Sequence, residues 1–176
     1  KAGYKKDANG VRMKAVLDII PYGEDWRRAG EYLKQAMGDI GIQLELRYED
    51  VPTWLKRVYH NYDFEMNVNY FYQLPDPVLG VHRHYGTDQI RKGTHFVNSS
   101  RYSNSKLDAL LDSGAGEPDA GKRTAKYKEI QQILADDMPV VNLFELEFLV
   151  VYNTKLKGVY DSAMGAYGSF REGYID

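Results

Sequence analysis

The chain has 176 residues, of which 43% are hydrophobic and 27% charged, a balance that is ordinary for one globular domain with a hydrophobic core. Its formal net charge of −2, with basic residues interleaved among acids, argues against a nucleic-acid-binding surface. The absence of cysteine excludes disulfides and thiol chemistry, and no apolar run approaches the roughly 20 residues of a membrane-spanning helix.

The amino-terminal part of the chain predicts a βαβαβ unit. Residues 42–47 alternate apolar and polar side chains, as in a half-buried strand, whereas residues 24–39 follow a helical period that ends before Gly41. Pro52 suits the first turn of a second helix, because that position needs no backbone N–H. Strands are predicted at 11–20, 42–47 and 63–71, and helices at 24–39 and 52–61. Parallel pairing with right-handed crossovers follows from this order.

The rest of the chain predicts irregular structure, then helices, then strands. Residues 78–100 show no period, and helices are expected at 104–113, capped by Ser103 or Asn104, and at 118–137. The longer helix is predicted to bury Ala125, Ile130, Ile133 and Leu134. Apolar runs predict two further strands at 139–144 and 147–152, whereas the tail from Val159 has no period. The expected fold class is therefore α/β, a mixed sheet flanked by helices.

The stretch from Asn67 to Asp76 is the best candidate for a binding site. A predicted strand ends there in three aromatic residues and an amide, and ligands of α/β sheets bind beyond the carboxyl ends of strands. The predicted ligand-binding residues are Tyr70, Phe71, Tyr72 and Gln73, with Trp54 as a further wall. An equally simple interpretation is that Tyr70 and Tyr72 pack against a buried helix.

Catalytic and metal-binding patterns find little support. The sequence contains neither a Gly-x-Ser-x-Gly elbow nor a phosphate-binding glycine loop, so we expect no enzyme activity and no cofactor. His82-Arg83-His84 has a metal-like spacing if it forms a strand, but the cation at Arg83 disfavours a bound metal. His60 and His95 lie far apart in sequence and carry no signal.

An ordered series of short motifs resembles the family 5 extracellular solute-binding proteins, the oligopeptide, dipeptide and nickel-binding group of ABC importers. The landmarks are Ala2-Gly3-Tyr4, Asn9-Gly10, Gly41-Ile42, Trp54, Phe64-Glu65-Met66, Asp76-Pro77, Tyr102-Ser103-Asn104, Leu107 to Asp112, Lys122-Arg123 ahead of Tyr127, Pro139 to Leu143, and Lys155 to Gly158. None of them is specific alone. Their common order over nearly the whole chain carries the resemblance.

The resemblance implies a periplasmic-binding-protein-like lobe that belongs to a longer protein. Residues 1–158 would form the carboxy-terminal lobe of a two-lobe protein, and residues 159–176 would return toward the amino-terminal lobe. The expected function is to bind a peptide-like solute between the lobes and deliver it to ABC permease subunits. The protein would be periplasmic, or extracellular and membrane-tethered in a Gram-positive source, and monomeric at full length. This also accounts for the missing initiator Met and signal peptide.

One departure from the family bears on the ligand. In peptide-binding members an Asp just before the Asp-Pro turn pairs with the peptide's amino terminus, but this position is Gln73 or Leu74 here. Neither side chain can neutralise a buried ammonium group. The alternatives are therefore a solute without a free amine, such as a blocked peptide, an opine or a sugar-like compound. A stand-alone Rossmann-like enzyme domain is the competing class.

Overall fold

The structure, a computed structural model, describes residues 3–147, 149–159 and 168–176. The chain divides into two compact units. The first unit contains Lys1–Phe71 and Thr87–Arg101, and the second contains Tyr72–Gly86 and Tyr102–Asp176. In the described part of the chain, no helix combines the length and apolar character that crossing a membrane requires.

The first unit contains the predicted βαβαβ arrangement. Strand β1 (Met13–Ile19) is followed by helix α1 (Glu24–Asp39), strand β2 (Ile42–Arg47), helix α2 (Val51–Leu55) and strand β3 (Met66–Val68). The three strands form a sheet in the order β2-β1-β3, and both pairings are parallel. The predicted bounds of α1 and β2 are confirmed, as is the parallel pairing.

The third strand is shorter than the predicted span of 63–71. At its start the Glu65 carboxylate accepts a hydrogen bond from the Val16 backbone N–H of β1 (2.6 Å). This N–H is therefore bound by a side chain and not by a backbone carbonyl of β3. At its end the Asn69 side chain accepts the Tyr70 backbone N–H (2.8 Å). Side chains that satisfy backbone groups compete with strand pairing, and this limits β3 to three residues.

Helix α1 covers the sheet with an apolar face. The core beneath it is formed by Ala15, Leu17, Ile19, Leu44 and Val68, with Trp26, Leu33 and Met37 of the helix packed against it. Gly30 allows the close approach, because a Cβ atom there would lie 2.7 Å from Ile19 Cδ1. The amphipathic period of α1 is therefore satisfied by the sheet.

Helix α2 supports a second core in the first unit. Asp50 caps it by accepting the Thr53 backbone N–H (2.9 Å), and Pro52 lies in its first turn as predicted. The helix continues as a π-helix, Lys56–Asn61, which ends at Tyr62 in the left-handed conformation (φ 52°). This core contains Ile20, Trp54, Val58, Tyr59 and Val97.

The second unit is mainly helical. It contains 3₁₀ helix Pro77–Leu79 and helices α3 (Val81–Tyr85), α4 (Ser105–Ala115) and α5 (Ala120–Asp137), and a further 3₁₀ helix, Thr87–Gln89, lies in the first unit. Asn104 is the N-cap of α4 and accepts the backbone N–H groups of Lys106 and Leu107. Leu107, Leu111 and Ile130 form the buried core of the second unit. Ala125 is exposed, so its predicted burial is wrong.

The predicted strands at 139–144 and 147–152 do not form in the described residues, of which Phe148 is not one. An extended apolar segment becomes a strand only when a neighbouring strand accepts and donates its backbone hydrogen bonds. No strand of the described part pairs with this segment, and Leu149 and Val151 are 89% and 96% exposed.

The α/β class is confirmed, but the expected single mixed sheet is not what the described residues form. Their three-stranded sheet is wholly parallel, and antiparallel pairing occurs only between β4 (Leu156–Lys157) and β5 (Tyr174–Ile175). The predicted aperiodic tail, 159–176, includes residues 160–167, which lie outside the described part of the chain.

Candidate functional site

Three aromatic side chains gather at the carboxyl ends of β1 and β3. The Tyr70 ring stacks on Trp26 with centroids 5.5 Å apart, and it meets the edge of Tyr22 at 5.8 Å. Tyr22 keeps 40% of its surface exposed, and burial, followed by the proximity of Tyr70, raises its pKa. We call these residues the aromatic cluster. It offers flat apolar contact with a polar rim.

The aromatic cluster rests on a hydrogen-bonded support. The Asn69 side-chain NH₂ donates to the hydroxyl of Tyr59 (2.7 Å), while Asn69 Oδ1 accepts the Tyr70 backbone N–H. The Tyr59 hydroxyl also hydrogen-bonds the Phe96 backbone and the Ser99 side chain. Burial raises the pKa of Tyr59 to about 12, so this hydroxyl stays neutral. Asn69, which precedes Tyr70, is thus held in place by the buried Tyr59 hydroxyl.

A buried charge network ties β1 to β2 near the same edge of the sheet. Asp18 is fully buried, and Arg47 donates to both of its carboxylate oxygens (2.7 and 2.8 Å). Arg57 lies 3.8 Å from Asp18 and also pairs with Glu49 (2.7 Å), whose pKa its hydrogen bond lowers. Because the Asp18 carboxylate is buried and paired with arginine, it has a structural role and its charge is not available to a solute.

The predicted site residues are divided between the two units. Trp54, Tyr70 and Phe71 belong to the first unit, whereas Tyr72 and Gln73 belong to the second. Tyr70 is part of the aromatic cluster, and Phe71 is partly buried. Trp54 is only 1% exposed, and its indole N–H finds no hydrogen-bond acceptor in the described part of the chain. The role of all five residues in ligand binding stays a prediction.

In the second unit, Gln73 lies over Gly80. A Cβ atom at Gly80 would lie 2.2 Å from Gln73 Oε1, so only glycine leaves room for this arrangement. Tyr72 and Gln73 are both exposed, which keeps a hydroxyl and an amide available to polar groups of a solute. An amide donates and accepts hydrogen bonds without carrying charge.

The nearest acid in the sequence, Asp76, is already engaged. It accepts the Val78 backbone N–H (2.9 Å) and hydrogen bonds from Arg123 Nη2 (2.7 and 3.0 Å). The Arg123 guanidinium, followed by the Val78 backbone N–H, lowers the pKa of Asp76. The carboxylate of the Asp-Pro turn therefore forms an ion pair within the protein and is not left over to pair with the ammonium group of a ligand.

His82-Arg83-His84 lies in helix α3 and not on a strand. Residues two apart on a helix point about 200° apart around its axis, so the two imidazoles do not converge. His82 Nε2 lies 3.0 Å from the Tyr127 hydroxyl, while His84 is buried. Burial, with a smaller effect of Arg83, lowers the pKa of His84 to about 3. Among the described residues, no group of three His, Asp or Glu side chains is arranged to hold a metal ion.

Sequence reasoning missed two features of the first unit. Tyr22 follows a strand-breaking proline, and Trp26 fits the buried face of α1, so neither signalled the aromatic cluster. His60 and His95 are 35 residues apart, yet their Nε2 atoms lie 3.2 Å from each other. No local pattern could have paired these histidines, because the contact depends on how the chain folds back on itself.

Comparison with known proteins gives two sequence relatives. A probable D,D-dipeptide-binding periplasmic protein of Escherichia coli is 27% identical over 135 residues, which are 76% of this chain and 25% of that protein. A di/tripeptide-binding protein of Pseudomonas aeruginosa is 25% identical over 148 residues, 84% of this chain and 26% of that protein. The chain thus spans about a quarter of the length of these relatives. No protein-family model matches it.

Solved structures share the fold. NikZ of Campylobacter jejuni, solved with Ni(L-His), has a TM-score of 0.76 at 18% identity, covering 90% of this chain and 32% of that chain. The ABC transporter substrate-binding protein CtaP of Listeria monocytogenes has a TM-score of 0.60 at 28% identity, covering 70% and 24%. By sequence and by fold, the chain is therefore similar to one portion of the family 5 extracellular solute-binding proteins, as its ordered motifs predict.

Proposed function

We propose that this chain is one lobe of the substrate-binding component of an ABC-type importer and that it binds a peptide-like solute. The observation that carries the proposal is the sequence similarity to two peptide-binding proteins, which extends over 135 and 148 residues of the chain. Residues 1–158 would form the carboxy-terminal lobe, and residues 159–176 would lead toward the other lobe. The short coverage of the relatives supports a lobe in place of a whole protein.

The aromatic cluster supports a role in ligand binding and not in catalysis. Tyr70, Trp26 and Tyr22 offer ring faces at the carboxyl edge of a parallel sheet, where ligands of such sheets bind. Phe71, Tyr72 and Gln73 follow directly in the sequence, whereas Trp54, which is 1% exposed, belongs to the hydrophobic core of the first unit. The relatives are binding proteins, and we infer that this chain likewise has no catalytic activity.

The polar groups favour a solute without a free amine. Gln73 is neutral, and Asp76 already pairs with Arg123, so the Asp-Pro turn offers no free carboxylate to an ammonium group. A buried ammonium without a counter-charge is costly. A blocked peptide, an opine or a sugar-like compound suits an amide better than a simple dipeptide does.

The remaining partners follow from the same assignment. The protein would be periplasmic, or extracellular and membrane-tethered, monomeric, and would dock onto ABC permease subunits. Solute binding would favour closure of the two lobes, because only the closed form lets both contact the solute. One lobe alone should bind weakly, since half of the contacts are missing.

Calorimetry with the full-length protein tests both parts. We expect N-acetylated tripeptides to bind more tightly than the same peptides with a free amine, and the isolated 176-residue chain to bind neither tightly. Micromolar or tighter binding of free-amine di- and tripeptides would contradict the blocked-solute proposal but leave the importer assignment intact. Equal affinity in the isolated chain and the full-length protein would overturn the two-lobe account.

A further inference from the structure

The structure brings two exposed histidines of the first unit within metal-binding distance. His60 Nε2 and His95 Nε2 are 3.2 Å apart, and their ring centroids are 5.4 Å apart. We propose that this histidine pair binds a divalent transition-metal ion such as Zn²⁺, a site that goes beyond the proposed solute binding.

The separation fits shared coordination. Imidazole nitrogens lie about 2.0–2.1 Å from Zn²⁺, and at a tetrahedral angle two of them are about 3.3 Å apart. The observed 3.2 Å is close to that value, so both nitrogens can reach one ion once the rings turn their Nε2 lone pairs toward it. Both side chains are exposed, which gives the ion a path from solvent and leaves its other coordination positions to water.

Each histidine is adjacent to a fixed element. His60 follows Tyr59 in the π-helix Lys56–Asn61, and such π segments often occur at functional sites. His95 precedes Phe96, whose backbone hydrogen-bonds the buried Tyr59 hydroxyl. The Tyr59 ring also lies 5.9 Å from the His95 ring. One buried tyrosine therefore holds both the helix and the loop that present the two imidazoles.

Gly93 leaves room for the His60 ring beside the loop. Its backbone N–H donates to the Tyr59 carbonyl (2.8 Å), and its φ of +84° is a conformation that side chains disfavour. A Cβ atom there would lie 3.3 Å from His60 Cε1 and 3.4 Å from Nδ1. The glycine lets the loop pass close to the ring, and a side chain at this position would crowd the imidazole.

In the metal-free protein the two rings share a hydrogen bond, with one Nε2 protonated and the other accepting. Metal binding replaces this proton bridge. Each neutral imidazole then carries its proton on Nδ1 and coordinates through Nε2, with no net loss of protons from the pair.

Titration calorimetry with ZnCl₂ tests the site in the wild type, His60→Ala, His95→Ala and His82→Ala. His82 is the matched control, because it removes a histidine of the alternative His82-Arg83-His84 motif and leaves the pair intact. We expect one ion per chain, at least about tenfold weaker binding in His60→Ala and His95→Ala, and unchanged binding in His82→Ala. Circular dichroism checks that each variant folds.

Nuclear magnetic resonance of the imidazole rings supplies a second readout in the wild type. Signals of His60 and His95 should shift together on Zn²⁺ addition, while those of His82 and His84 stay in place. Wild-type binding no tighter than that of the His60→Ala/His95→Ala double variant would overturn the proposal. So would a loss of binding confined to His82→Ala.

Discussion

Arg123 Nη2 donates to both carboxylate oxygens of Asp76, at 2.7 and 3.0 Å, and so ties helix α5 to the Asp76-Pro77 turn. Arg123 Nε also donates to the Gly114 carbonyl at the end of α4 (3.2 Å). One guanidinium thus links three segments of the second unit. The same pairing leaves the turn without a free negative charge.

Placing a carboxylate at position 73 should change ligand preference. We expect Gln73→Glu to bind free-amine tripeptides at least about tenfold more tightly, because a desolvated ammonium gains a counter-charge worth more than about 1.4 kcal/mol. The measurement is calorimetry on the full-length protein. Gln73→Met is the control, since it has a similar size and no charge. Equal free-amine affinity in both variants would show that position 73 is not at the solute's amine.

Two glycines of α1 should respond oppositely to substitution. A Cβ at Gly30 would lie 2.7 Å from Ile19 Cδ1, so Gly30→Val should overpack the interface and lower the unfolding free energy by about 1–3 kcal/mol. Gly38 has no atom within 4 Å of its Cβ position, and Gly38→Ala should be neutral or stabilising by up to about 1 kcal/mol. Urea denaturation measures both. A stable Gly30→Val protein would mean that α1 is not seated closely on β1.

Buried His84 should make stability depend on pH. Its folded-state pKa of about 3 is below the ordinary value of 6.5, so the unfolded chain binds the proton more readily. This contribution is complete above about pH 6.5 and is lost as pH falls toward 3, by up to about 1.4 kcal/mol per pH unit.

The comparison that isolates His84 is between wild type and His84→Gln, each denatured by urea at pH 7 and pH 5. The wild type should lose more unfolding free energy over this interval than the variant, which has no imidazole to protonate. The carboxylates of Asp76 and Glu117 are common to both proteins, so their titration cancels in the difference. Identical losses would contradict the burial of His84.

Removing one buried hydroxyl should loosen the first unit. Tyr59→Phe leaves the Asn69 side-chain NH₂ without the acceptor it has at 2.7 Å, and we expect a loss of about 1–3 kcal/mol in unfolding free energy. The control is Tyr32→Phe, because Tyr32 is 72% exposed and the loss of its hydroxyl removes mainly contacts with water. Chemical denaturation of both variants provides the values. Equal stability would argue that the Tyr59 hydroxyl does not hold residues 96–99.

Local periodicity predicted the early elements well. Helix α1 and strand β2 have the predicted bounds because their apolar side chains pack against each other and against β1, as their spacing predicts. Residues 139–152 have equally strong apolar runs but form no strand in the described part of the chain, because a strand needs a partner that its own sequence does not specify.

The sequence by itself determined the βαβαβ order, a cap of α4 at Ser103 or Asn104 and the position of Tyr70 near a strand end, because these depend on residues close along the chain. Only the tertiary structure decided three long-range contacts. These are the stacking of Tyr70 on Trp26, the ion pair of Asp76 with Arg123 and the contact of His60 with His95. Each of these pairs is separated by more than thirty residues, and such contacts arise from packing, which no local pattern encodes.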